Sequence, residues 1–233
     1  MLITTTAIGS CVPIALFLTF VAGAPLDGQW VPLSGEWKVL DQHLTCEAAG
    51  SSVCVPWAPE RDAQSITGTV RIDRRIDKGT WAFAGIGIRL DEANYWRLEL
   101  VEGPDGRRYA DMVESSNGQW QAQASGPGKL TEAESAEMPP WEYNRDYTFR
   151  FTVDPDRVAG TIEPATGGGG GFRKTFLVPA GVSAVTAGRP ALYASGMAAA
   201  FSAMNVTADA QLEREVRYGS TRIGVLCGMG SEA

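Results

Sequence analysis

The sequence predicts an all-β protein: antiparallel strands in two packed sheets, about a dozen in number. Three observations predict it. The stretch from Trp81 to Glu114, WAFAGIGIRLDEANYWRLELVEGPDGRRYADMVE, alternates small and aromatic residues with charged ones across two tight turns. Residues 146–153 alternate Tyr147, Phe149, Phe151 and Val153 with Thr148, Arg150 and Thr152, the period of a half-buried strand. Turn signals recur at short intervals along the chain, and no segment carries a convincing helical period.

Taken in order, Trp30–Leu40 and His43–Glu47 read as strands around the turn Asp41-Gln42. A Pro-rich stretch then holds a short strand near Val53–Trp57. Ser65–Ile76, Trp81–Leu90, Tyr95–Glu102 and Arg107–Ser115 follow in quick succession. Asn117-Gly118 is a strong hairpin turn and leads into Gln119–Ala124. Residues 125–140 are polar and rich in Gly, Pro and Glu, so a long surface loop is expected there. After the strand at 146–153, Asp154-Pro155-Asp156 turns the chain into Arg157–Glu163. The glycine run 167–171 is a loop, and no Lys-Ser/Thr follows it at phosphate-loop spacing. Strands return at Phe172–Val178, Arg189–Ala194 and Ala198–Thr207.

Composition bounds the function. The chain has 233 residues, enough for one large β domain, with 27 Gly and 13 Pro to serve many turns. Its net charge is −7 and it has no Lys/Arg cluster, so the electrostatic footprint of a nucleic-acid binder is missing. Residues 12–21, VPIALFLTFV, followed by Ala22-Gly23-Ala24, read as a signal-peptide core with cleavage after Ala24, although the n-region has no Lys or Arg. The run is too short for an ordinary membrane span. The domain plan is therefore a signal peptide at 1–24 and a β-sandwich at 25–210, with extracellular or periplasmic localisation.

Residues 211–233 depart from the β pattern. A charged joint (Glu213, Arg214, Glu215, Arg217) precedes Ile223-Gly224-Val225-Leu226 with Gly228 and Gly230. That resembles the first strand and glycine turn of an α/β domain, the start of a C-terminal catalytic partner; a plain tail is the alternative. Of the four cysteines, Cys11 leaves with the signal and Cys227 stands alone. Cys46 and Cys54 either close a disulfide loop in an oxidising compartment or serve as two small buried hydrophobes. A single histidine, His43, and no paired C-x-x-C leave no zinc ligand set. The same lone histidine makes a Ser-His-Asp or Cys-His mechanism hard to build.

The two central hairpins fix a register. Ala84, Ile86, Ile88 and Leu90 share the core face with Trp96, Leu98 and Leu100 only if Ile88 pairs with Trp96 and Ile86 with Leu98, or with a shift of two; a three-residue connection Asp91–Ala93 satisfies this. A three-residue loop with Gly106 in the left-handed conformation then pairs Leu98 with Met112 and Leu100 with Ala110. The opposite face carries Trp81, Phe83, Arg89, Tyr95, Arg97, Glu99, Tyr109 and Asp111, with Gly85 and Gly87 as open floor between them. Aromatic platforms beside planar charged groups suit sugars: rings cover C–H faces while Arg and carboxylates bond hydroxyls. The plainer reading is a solvated face whose charges pair across strands, each pair giving ~0.2–1 kcal/mol.

The blocks AGIGIRLDEANYWRLELV, DYTFRFTVDPDRVAGTI and GRPALYASGMAAAFSAMNV resemble the concanavalin A-like lectin/glucanase superfamily in its laminin-G-like accessory form, over about Trp30 to Asp209. The resemblance implies a jelly-roll sandwich, often attached to glycoside hydrolases as a carbohydrate-binding module, and many relatives hold a structural calcium. The glucanase members' acid cluster, Glu-x-Asp-x-x-Glu on one strand, is absent. The leading expectation is an exported, non-catalytic carbohydrate-binding sandwich. A glycoside hydrolase using the cross-strand pair Glu99 and Asp111 is the catalytic alternative, and a structural or adhesion module is the third.

Overall fold

The computed structural model describes residues 30–56, 60–120, 129–167 and 170–208. The signal segment, the 211–233 segment, Cys11 and Cys227 lie outside them. Among the described residues there is no helix and there are fifteen strands, in two antiparallel sheets. The front sheet has seven strands: β1 (Trp30–Ser34), β4 (Ser52–Pro56), β14 (Arg189–Ser195), β6 (Ala82–Arg89), β7 (Tyr95–Glu102), β8 (Arg108–Ser116) and β9 (Gln119–Trp120), in that order. The back sheet has eight: β10 (Thr131–Ala136), β13 (Phe172–Leu177), β12 (Arg157–Pro164), β11 (Asp146–Asp154), β5 (Gln64–Arg75), β15 (Met197–Ala208), β3 (His43–Ala48) and β2 (Trp37–Leu40). The two-sheet jelly-roll sandwich is thus formed, with more strands than the sequence pattern separates.

The extra strands have simple causes. The segment Trp30–Leu40 splits at Gly35, whose φ of +78° turns the chain from the front sheet to the back. A Cβ there would sit 2.0 Å from Ser52 Oγ, so only glycine fits. Within 125–140, where a loop was expected, Thr131–Ala136 forms the back-sheet edge against β13. All its side chains are exposed, so it carries no apolar alternation to read. Of Gln119–Ala124, Gln119–Trp120 is strand and 121–128 lie outside the described residues.

The central registers match the pattern, except that Leu90, expected on the core face, lies past the end of β6 and is 43% exposed. Ile88 pairs with Trp96 and Ile86 with Leu98; Leu98 pairs with Met112 and Leu100 with Ala110. Gly106 has φ +80°, and Asn117 and Gly118 have φ +53° and +74°, as a type I′ hairpin turn requires. Between the sheets these side chains meet Phe149, Phe151, Phe172, Phe176 and Phe201, all fully buried. The Trp96 ring packs 5.7 Å from Phe176 and 6.4 Å from Phe151, within aromatic-pair range. Its indole N–H donates to the Val185 carbonyl at 2.9 Å, and the buried Glu114 accepts the Val185 N–H at 2.7 Å. One strand-end loop is therefore anchored at a single residue from two front-sheet strands.

Cys46 on β3 and Cys54 on β4 are free thiols. They belong to opposite sheets and fill small core positions rather than closing a loop. Burial pushes the Cys54 thiol up to about 12 and raises Cys46 as well, so neither is a reactive thiolate. His43 sits beside the Asp41-Gln42 turn, its Nδ1 donating to the Asp41 carbonyl at 2.8 Å. No helix among the described residues is long and apolar enough to cross a membrane.

Candidate binding face

Since Ile86, Ile88, Leu98, Leu100, Ala110 and Met112 point into the core, their neighbours on β6, β7 and β8 point out of the front sheet. The register lays them in rows. Tyr193, Gly85, Glu99 and Asp111 form one; Ala191, Gly87, Arg97 and Val113 the next. At one strand end the row is Arg189, Arg89, Tyr95, Ser115 and Trp120. At the other lie Phe83, Val101 and Tyr109, with Trp81 just before β6.

This outer face is not solvated like an ordinary one. Val53, Val55, Ala191 and Tyr193 form a second, small apolar cluster on it, with Phe83 and Tyr95 packed against them. Gly85 and Gly87 are not open floor. A Cβ on either would come within 2.0 Å and 1.9 Å of the Leu98 and Trp96 carbonyl oxygens of β7, so glycine is what lets the two strands approach. The Tyr193 hydroxyl donates to the Ile88 carbonyl at 3.0 Å, which lays its ring along β6 above these glycines.

Arg97 and Glu99 are both buried on this face, at 7% and 3% exposure. Arg97 Nε lies 3.1 Å from Glu99 Oε2, an ion pair whose angle falls outside hydrogen-bond geometry, so neither atom has a hydrogen-bond partner. Rings surround the guanidinium instead: Phe83 at 4.1 Å, Tyr95 at 5.2 Å and Trp120 at 5.9 Å. Burial pushes the Glu99 carboxyl up to about 7, with Arg97 opposing the rise and Asp111 adding to it. Asp111 is the direct cross-strand partner of Glu99 and accepts the Met112 N–H at 2.7 Å. Burial, then Asp111 and Glu99, raise the Tyr109 phenol too.

All eight residues expected on the face are there, though in unlike roles. Phe83, Arg97 and Glu99 form its floor. Tyr95 leans on Tyr193 at 6.1 Å, and Arg89 reaches the exposed Glu92 at 3.9 Å. Trp81 is 51% exposed and stands edge-on to Tyr109 at 6.3 Å. Two residues were missed. Tyr193 alternates with the core residues Leu192 and Ala194, and Trp120 follows the Asn-Gly turn in register with Ser115; both signals were present in the sequence. Trp120 is 54% exposed, so exposed tryptophans stand at both ends of the face, eight residues or about 27 Å apart along the strands.

A groove of about 590 Å³ opens at the Trp81 end of the strands, lined by Arg75, Glu102 and Tyr143 among others. Its buried polar groups are spent on structure. Arg75 donates to Glu102 at 3.0 Å and to the Gly103 carbonyl at 2.7 Å, and also to the Asp77 and Thr80 carbonyls, while Tyr143 donates to Glu102. That hub ties three loops together. Among the described residues, no group of three or more His, Cys, Asp or Glu is gathered as a metal site would need.

No protein-family model matches the sequence, and no curated protein matches it. Solved structures do. A functionally unknown protein from Saccharomyces cerevisiae superposes with TM-score 0.53 at 15% identity, over 78% of this chain and 97% of that one. The carbohydrate-binding module CBM66 from Bacillus subtilis gives TM-score 0.52 at 14% identity, over 77% of this chain and 96% of that one. The Bacteroides ovatus Xyloglucan PUL GH43B gives 0.52 at 15% identity, over 79% of this chain but 37% of that longer one. At these identities the likeness is one of fold: this chain shares a two-sheet β-sandwich with them.

Proposed function

We propose that this chain is an exported, non-catalytic carbohydrate-binding sandwich of the concanavalin A-like type, acting as an accessory module of a larger polysaccharide-acting protein. The observation that carries the proposal is the front-sheet face: exposed Trp81 and Trp120 at its ends, and a rigid floor of Phe83, Tyr95, Arg97 and Glu99 between them. Rings with two torsions and a locked charged pair lose little freedom when a ligand arrives, which favours binding. The fold it shares with a carbohydrate-binding module supports the same reading. The test is a glycan-array screen of the full chain, with and without calcium. Selective binding that is lost in Trp81→Ala is expected; a blank array would overturn the proposal and favour a structural or adhesion role.

One observation favours a second reading. Glu99, with its carboxyl pushed up to about 7, is the direct cross-strand neighbour of Asp111, and the two acids of a glycoside hydrolase need such divergent environments. Against it, Glu99 is 3% exposed and paired with Arg97. Reducing-sugar release from bound polysaccharide, abolished in Glu99→Gln, would establish hydrolysis; unchanged polymer length would exclude it.

A further inference from the structure

One corner of the front-sheet face carries an arginine, Arg189, that the fold leaves unpaired. Arg89 on β6 and Arg189 on β14 are direct register partners on the outward face. Like charges directly opposite one another on a sheet are destabilising. Arg89 has two acids on its own turn, Glu92 and Asp91, whereas no acid pairs with Arg189 among the described residues. Glu92 approaches Arg89 only to 3.9 Å and is itself 97% exposed, so water screens it. Asp91, the other acid of that turn, accepts from the Ala93 and Asn94 N–H groups at 2.8 Å each and also feels the Arg89 charge. Arg189 has no hydrogen-bond or ion-pair partner among the described residues.

The next residue in the row is Tyr95, whose ring lies between the Arg97 guanidinium and Tyr193. Arg89 and Arg189 therefore share a row with this ring, Arg189 exposed and the Arg89 side chain 15% exposed. Arginine forks match planar carboxylates in bidentate fashion, and a ring beside them offers a platform for the apolar face of a sugar.

We propose that the Arg89–Arg189 corner seats the carboxylate of an acidic sugar, so that the glycan bound by this face carries uronate residues. The proposal rests on the carbohydrate-binding reading above and narrows its ligand class. The anion supplies the missing counter-charge, and the sugar ring attached to it lies toward Tyr95.

The test is calorimetric titration of the full chain with a galacturonate hexamer, its fully methyl-esterified form, cellohexaose, and a sulfated galactan oligosaccharide. Binding of the free acid, with the ester and cellohexaose at least about tenfold weaker, is expected. Arg189→Gln weakens the acid by about tenfold, and Arg189→Glu abolishes its binding. Arg189 is exposed and unpaired, so unchanged melting temperatures separate these losses from misfolding. Tighter binding of the sulfated galactan would keep the anion seat but overturn uronate as its occupant. Equal binding of acid and ester would overturn the inference while leaving the carbohydrate reading intact. Binding of none of the four would overturn the inference, and a blank glycan array beside it would bring down the carbohydrate reading as well.

Discussion

The two outer faces of this sandwich are made by the same rule and come out opposite. On the back sheet, alternation places Ser65, Thr67 and Thr69 of β5 beside Thr148, Arg150 and Thr152 of β11 and Thr161 of β12. None of these is buried, and the charged groups there pair in solvent, as Arg173 does with Glu134 at 3.4 Å. On the front sheet, the outward positions bury Val53, Val55, Ala191, Tyr193, Arg97 and Glu99. One face spends its outward side chains on strand propensity and solubility. The other spends them on a packed aromatic and charged surface that the fold does not need for its core.

The largest expected contrast comes from removing one member of a charged pair on each face. Glu99→Ala leaves Arg97 buried without its counter-charge and should cost about 3–5 kcal/mol in chemical denaturation. Glu134→Ala on the back face should cost about 0–1 kcal/mol. Equal costs would mean that the Arg97–Glu99 pair is as solvated as a surface pair. A Gly87→Ala substitution sharpens the same point through the backbone. Its Cβ meets the Trp96 carbonyl at 1.9 Å, so overpacking should cost about 3 kcal/mol, against less than about 1 kcal/mol for Thr161→Ala on the back face.

The faces should also differ in pH response. Glu99 takes up its proton in the folded state at about 7, against 4.5 when unfolded. Between those values the folded state holds the extra proton, so stability falls as pH rises through the window and levels off above it. Burial raises Glu114 in the same direction. Melting temperature followed from pH 4 to 8 should therefore decline, and Glu99→Gln should flatten part of that slope. A wild-type curve that rises through the window would contradict the burial of Glu99. Trp81→Ala should have as small an effect on stability as the back-face changes, below about 1 kcal/mol, because the ring is half exposed.

Much of this was legible in the sequence. The hairpin registers followed from requiring Ile86, Ile88, Trp96 and Leu98 to share a face, because a one-residue slip would invert them all. The eight expected face residues followed from the same constraint. What escaped depends on distant pairing. β14 comes about a hundred residues after β6, the strand it pairs with, so although alternation marks Tyr193 as outward, its placement beside Gly85 and Tyr95 has no local signature. The burial of Arg97 and Glu99 escaped for the same reason, since charged outward residues read as solvated unless something is known to wall them in. The edge strand at 131–136 escaped because a strand paired on one side and exposed on both faces needs no apolar residue.

The most direct measurement is the affinity of the full chain for its array-identified glycan, compared between Trp81→Ala on the front face and Thr161→Ala on the back. The front-face change should weaken binding by about tenfold or more at unchanged melting temperature, with the back-face change silent. Equal affinities in both variants would place the ligand elsewhere and contradict the assignment of function to the front-sheet face.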